Sequence, residues 1–181
     1  MRKIQLIGVT LAVMAAMAAV TSVAAAHEFV STGTGELSVT RNTTQKITTR
    51  FGNLECTGLA IKAKVKTTKA LEIHETLTWT SCTIIGVAAS VSTVLKLLLA
   101  NGEIHFKNSW LVSGLGCMLT FSSQSRGTVK YINTGKELET RFEVSGIEYA
   151  GTGSLCNGTG KDGAYTGASV LALAGQTIEW K

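Results

Sequence analysis

Two short segments carry the same chemistry-bearing residues at the same spacing. Glu72-Ile73-His74 is followed by Trp79, and Glu103-Ile104-His105 is followed by Trp110. On an extended strand successive side chains point to opposite faces. In each copy Glu and His therefore share one face, while Ile and Trp share the other. If the two strands were neighbours, His74, His105, Glu72 and Glu103 would offer two imidazoles and two carboxylates, a donor set suited to zinc or copper. The competing reading keeps His and Glu in solvent and buries Ile and Trp in the core. It needs no ligand.

A second pattern is cationic. Lys62, Lys64, Lys66 and Lys69 form a comb in which the first three alternate with Ile61, Ala63 and Val65. Such a strip could bind an anionic wall polymer or headgroup. Lysine along a strand is also a device against edge pairing. Gly158-Thr159-Gly160-Lys161-Asp162-Gly163 has the spacing of a dinucleotide-binding turn, but no βαβ pattern surrounds it, and it reads as a glycine loop. Asp162 is the sole aspartate, which argues against an Asp-rich calcium loop and against a Ser-His-Asp triad. The eleven glutamates leave carboxylate chemistry open. No cofactor is expected.

The stretch that must position most of these residues runs from Cys56 to Cys82. Read as two strands about a turn at Thr68-Lys69-Ala70, it sets Val65 opposite Ile73, Ile61 opposite Leu77, Leu59 opposite Trp79 and Cys56 opposite Cys82. Lys66 then faces Glu72, and Lys64 faces His74. That register joins Cys56 to Cys82 and leaves Cys117 for Cys156. Both cysteines of the hairpin fall on the outward parity with the lysines. The disulfide therefore lies on the outer face, or Thr57-Gly58 forms a bulge that turns Cys56 inward.

Compartment follows from the N-terminus. Arg2 and Lys3, the uncharged run Ile4 to Val23 and the small residues Ala24-Ala25-Ala26 have the three parts of a secretory signal, which would leave a single domain over 27–181. An uncleaved anchor is the alternative, since about 20 apolar residues span a bilayer. No membrane span is expected after cleavage. Loss of Arg2 and Lys3 lowers the net charge from +5 to +3, too weak an excess to argue for nucleic acid. Four cysteines in an oxidising compartment suit two disulfides. Proline is absent, so glycine and asparagine must serve the turns.

Elsewhere, alternation predicts a hairpin of Glu36 to Arg41 with Gln45 to Phe51 about Asn42-Thr43-Thr44. Val87 to Ala100 fits a strand or, over Ala88 to Leu95, a helix. Asn101-Gly102 favours a hairpin that sets Leu99 opposite Ile104 and Leu97 opposite Phe106. Strands follow around Leu119, Val129 and Phe142, with turns at Gln124 to Gly127 and at Thr134-Gly135. A bulge is expected at Ser145-Gly146, where the inward parity changes. Gly151 to Gly163 reads as a long loop tied down by Cys156, before a closing pair of strands, Tyr165 to Leu173 and Thr177 to Trp180. The expected fold is all-β, an antiparallel β-sandwich or barrel built from consecutive hairpins, behind a cleaved N-terminal signal helix.

Trp79-Thr80-Ser81-Cys82-Thr83, Val144-Ser145-Gly146-Ile147-Glu148-Tyr149, Cys156 and Gly163-Ala164-Tyr165-Thr166-Gly167 together resemble a group of bacterial secreted, cysteine-bearing β proteins. The resemblance covers roughly Thr49 to the end. It implies location and class, with no activity attached. The function expected is a secreted or cell-surface, non-enzymatic β domain with a binding or structural role toward an extracellular or cell-envelope partner. Alternatives are a small extracellular hydrolase using carboxylates or the His and Glu repeat, and a β-barrel carrier of a small apolar ligand.

Overall fold

A computed structural model describes residues 27–91, 95–100 and 102–181. Residues 1–26, where a signal is expected, residues 92–94 and Asn101 lie outside the described residues. In chain order the strands are β1 (Phe29–Ser31), β2 (Gly35–Asn42), β3 (Gln45–Thr49), β4 (Gly52–Val65), β5 (Lys69–Ala70), β6 (Glu72–Ile84), β7 (Val87–Val91), β8 (Leu95–Ala100), β9 (Glu103–Phe106), β10 (Trp110–Gly114), β11 (Cys117–Phe121), β12 (Gln124–Thr134), β13 (Glu137–Gly153), β14 (Gly158–Leu173) and β15 (Ile178–Trp180). The fold is all-β and its ladders are antiparallel.

The main ladder closes on itself. β4, β6, β13 and β14 are long, and the positions between them are each filled by two short strands laid end to end along the same neighbour. β7 and β8 follow β6, and β2 and β3 follow β14. β9 and β10 come next, then β11 and β12, which both pair with β13. β2 and β3 return to β4, which completes the ring. Closure of this kind removes exposed sheet edges except where β4 and β6 part beyond Ala63 and Glu75. A separate sheet of β15, β1 and β5 lies beside it.

Alternation builds the ring because every second residue can be apolar and inward. Ile73, Leu77, Trp79, Ile104, Phe106 and Trp110 are all buried, which puts both tryptophans of the repeat in the core with its isoleucines. Trp110 and Phe121 oppose each other and stack with centroids 3.9 Å apart; Trp79 meets Trp110 at 5.3 Å and Tyr165 at 5.6 Å. Such pairs add about 0.5–1.5 kcal/mol beyond the area they bury. Two hairpins turn on Ile85-Gly86 and Leu115-Gly116, with both residues of each at positive φ. That is the twist-matched geometry of two-residue hairpins.

The central register holds from Leu54↔Ile84 through Cys56↔Cys82, Leu59↔Trp79 and Ile61↔Leu77 to Ala63↔Glu75. There the strands part. The expected Val65–Ile73 rung and the facings of Lys66 to Glu72 and Lys64 to His74 are not part of this ladder, while on the far edges Val65 pairs with Gly35 and Glu72 with Ala100. Thr68-Lys69-Ala70 is not a simple turn either. Lys69 and Ala70 form β5 on β1, and Lys69 pairs with Glu28 at 3.3 Å.

Both disulfides form with the expected partners, Cys56 with Cys82 and Cys117 with Cys156. Cys56 and Cys82 are buried. The ladder skips Thr57 and Ser81, and Ser81 has φ 54°, so both strands switch inward parity at one level. The bulge alternative describes Cys56, with a matching irregularity on the partner strand.

Several expected turns are instead continuations. Asn42-Thr43-Thr44 does not reverse the chain: the Thr43 amide donates to the Ala168 carbonyl at 2.9 Å and the Ala168 amide to Thr43 Oγ1 at 2.8 Å, which keeps the chain on β14. The hairpin partner of β3 is β4, with Thr49 opposite Gly52. Gln124 to Gly127 is likewise a bulge in a continuing strand, since Gln124 and Ser125 already pair with Phe106 and His105. Gly151 to Gly163 is mostly strand, with Tyr149, Ala150 and Gly151 opposite Gly160, Thr159 and Gly158, so the dinucleotide-like glycines are ladder residues rather than a loop. Glycines there let the chain pass close under Phe51 and Tyr149. Thr177 to Trp180 closes on β1 rather than on β14. Val87–Val91 and Leu95–Ala100 are strand, with Leu99 opposite Ile104 and Leu97 opposite Phe106. The parity change near Ser145 is a bulge with Gly146 at φ 71°.

Gly127 gives a direct test of this packing. Its φ is 76°, and a Cβ there would stand 2.6 Å from the Val144 Cα. Gly127→Ala is expected to cost about 2 kcal/mol in urea denaturation, because φ and space both oppose it. A change within about 0.5 kcal/mol would contradict the close passage of β12 over β13.

Candidate functional site

The charged residues singled out on the central hairpin converge where β4 and β6 part, at the opposite end of their ladder from Cys56 and Cys82. The alternation that buries Ile61, Ala63 and Val65 exposes Lys62, Lys64 and Lys66. None of these three makes an ion pair among the described residues, whereas Lys69 is held by Glu28. Two clefts adjoin the row. One, of about 420 Å³, has Lys64, Lys66, Glu72 and His74 beside the apolar Phe29, Val65, Ile73 and Ile178. The other, of about 540 Å³, runs between β2 and β4 and includes Glu36, Lys62, Lys64 and His74. Each cleft holds one glutamate, so they do not present a carboxylate pair. The residues expected to face one another across a ladder, Lys64 and Lys66 against Glu72 and His74, instead form two walls of the first cleft.

The structure does not bring the four possible metal ligands together. β8 lies between β6 and β9, with His74 opposite Leu98 and Leu98 opposite His105. Leu98 stands between the two histidine positions, and among the described residues no three His, Cys, Asp or Glu side chains are grouped so as to hold an ion. Each histidine is engaged by the glutamate two residues before it. His74 Nε2 lies 3.0 Å from Glu72 Oε1, and His105 Nε2 lies 3.6 Å from Glu103 Oε2. The other ring nitrogen of His105, Nδ1, meets Ser125 Oγ at 2.6 Å. Asp162 is also engaged, accepting a hydrogen bond from Tyr149 Oη at 2.7 Å.

One group at this end escaped the sequence reading. Glu75 sits on the inward parity between Ile73 and Leu77, is 2% exposed, and neither of its oxygens has a hydrogen-bond partner. Burial pushes its carboxyl from an ordinary 4.5 up to about 8. Tyr131 Oη is also buried without a partner. Burial, and then the Glu75 charge, raises the tyrosine hydroxyls of Tyr131 and Tyr165 above their ordinary range. Tyr165 Oη is satisfied by Gln45 Oε1 at 2.5 Å. The signal was present in the alternation itself, since a strand that buries residues 73, 77 and 79 must also bury residue 75.

No protein-family model, curated protein or solved structure matches the chain. The site has to be read from its own chemistry. Among the described residues no helix is long and apolar enough to cross a membrane, which says nothing of strands.

Proposed function

We propose that this is a secreted or cell-surface, non-enzymatic β domain whose lysine row binds acidic groups of an extracellular or cell-envelope ligand. The observation that carries it is the unpaired row Lys62, Lys64 and Lys66 at the rim of two clefts. Three like charges on alternate positions of one strand repel one another in the free protein, and an anion relieves that repulsion. Two disulfides fit the oxidising compartment in which such a ligand would be met. The likeness to secreted, cysteine-bearing β proteins supports the same location.

Poly-L-glutamate is a suitable probe. Its binding is expected to weaken steeply with added salt, because exposed charges are screened over about 10 Å at 0.1 M ionic strength. Charge reversal in the triple variant Lys62→Glu, Lys64→Glu, Lys66→Glu should weaken it by about tenfold or more at low salt. Reversal of Lys46, Arg50 and Lys161, three cations that line neither cleft, is the charge-matched control. Equal losses in the two variants would reduce the effect to net charge and sink the reading.

A further inference from the structure

The split between β4 and β6 lies directly over a buried acid. The last rung of their ladder is Ala63↔Glu75, and the next inward residues on the two strands, Val65 and Ile73, both line the 420 Å³ cleft. Glu75 is thus one rank beneath the cleft, and its two oxygens have no donor. On another side of the cleft stands Phe29, whose ring meets Tyr131 edge-on at 5.1 Å. Tyr131 Oη is a third unpartnered polar atom behind the same lining. Buried acceptors without donors are rare in folded proteins, and here they lie behind Val65, Ile73 and Phe29, which line the cleft.

We propose that the cleft takes a short zwitterion with an apolar spacer, its acidic end on Lys64 and Lys66 and its amine passing between Val65 and Ile73 to Glu75 and Tyr131 behind the lining. An ammonium brings three donors, enough for both carboxyl oxygens and the phenol. Phe29 and Tyr131 stand together there, and the face of an aromatic ring favours a cation once water is excluded. The spacer lies along Val65, Ile73 and Ile178. The outer half of the proposal rests on the anion-binding reading of the lysine row, and the inner half does not. Because the Glu75 carboxyl is mostly protonated at pH 7, binding of an ammonium ionises it and its proton passes to solvent. One proton is released per ligand bound, and no covalent bond changes.

The test is calorimetry of the disulfide-intact protein with ω-amino alkanoates from aminobutanoate to amino-octanoate, each compared with the alkanoate and the alkylamine of equal length. At pH 7, in two buffers of different ionisation enthalpy, the best amino alkanoate should bind about tenfold tighter than its alkanoate and release close to one proton. Glu75→Gln should bring it to the alkanoate's affinity and abolish proton release, while Lys64→Glu with Lys66→Glu should weaken amino alkanoate and alkanoate alike. Equal affinity for amino alkanoate and alkanoate, or a Glu75→Gln variant that binds as the wild type does, overturns the proposal and leaves the lysine reading standing. Binding of the alkylamine alone, dependent on Glu75 and indifferent to the lysines, would overturn the lysine reading and the two-ended ligand together.

Discussion

Glutamine in place of Glu75 is expected to stabilise the folded protein by about 5 kcal/mol at pH 8 and to change it little at pH 4. The reason is the placement of a carboxyl with no partner inside the ring. Between its ordinary 4.5 and about 8, the unfolded chain has lost this proton and the folded chain keeps it. The folded state then binds more protons, so stability is whole below pH 4.5 and is lost as pH rises toward 8. At 1.36 kcal/mol per pH unit, that interval amounts to about 5 kcal/mol. An amide cannot ionise, so Glu75→Gln removes the slope while keeping the shape. Urea denaturation of both proteins at pH 4, 6 and 8 reads it directly. Parallel pH profiles would show that the carboxyl is ionised and solvated in the folded state.

The second large effect is expected from the Cys117–Cys156 cross-link. It closes 39 residues of sequence and fastens the connection between β13 and β14 to the start of β11. On chain-entropy grounds, its removal in the double variant Cys117→Ala, Cys156→Ala should cost about 4 kcal/mol. Alanine is chosen because Cys156 is 1% exposed and a serine hydroxyl there would add a burial cost of its own. The measurement is the denaturation midpoint of the variant against the oxidised wild type. A loss below about 1 kcal/mol would mean that the unfolded chain is little constrained by this link.

How much of this could be read beforehand depended on what fixes each element. The register from Cys56 to Ala63 was legible because two strict alternations and a cysteine pair demanded the same alignment. The two repeats' tryptophans were legible for the same reason of parity. Strand ends were not. The β4–β6 ladder stops at Ala63↔Glu75 while β2 stays on the far edge of β4 and β8 on the far edge of β6, and Lys69 and Ala70 between the two strands pair with β1, a partner distant in sequence. Asn42-Thr43-Thr44 has turn composition, yet the Thr43 bonds to Ala168 hold the chain straight. Glycines from Gly151 to Gly163 read as a loop by composition and serve instead as room for Tyr149 and Phe51. The lysine row was visible as a pattern; that its neighbours would open into clefts was not. Glu75 was visible too, but a charged residue on an inward parity is easily passed over when the flanking apolar residues already explain the strand.

The four long strands run past both members of each short pair, so the ring has two levels. Cys56, Cys82 and Cys117 belong to the level where β3, β7 and β11 pair, and Cys156 is anchored there through Cys117. Glu75 and the gap between β4 and β6 belong to the other, with β2, β8 and β9. Cross-links at one level and an uncompensated acid at the other give the molecule unequal resistance to opening. Amide hydrogens near Glu75 are therefore expected to exchange with solvent faster than those beside the cystines, through a partial unfolding that leaves the cross-linked level intact.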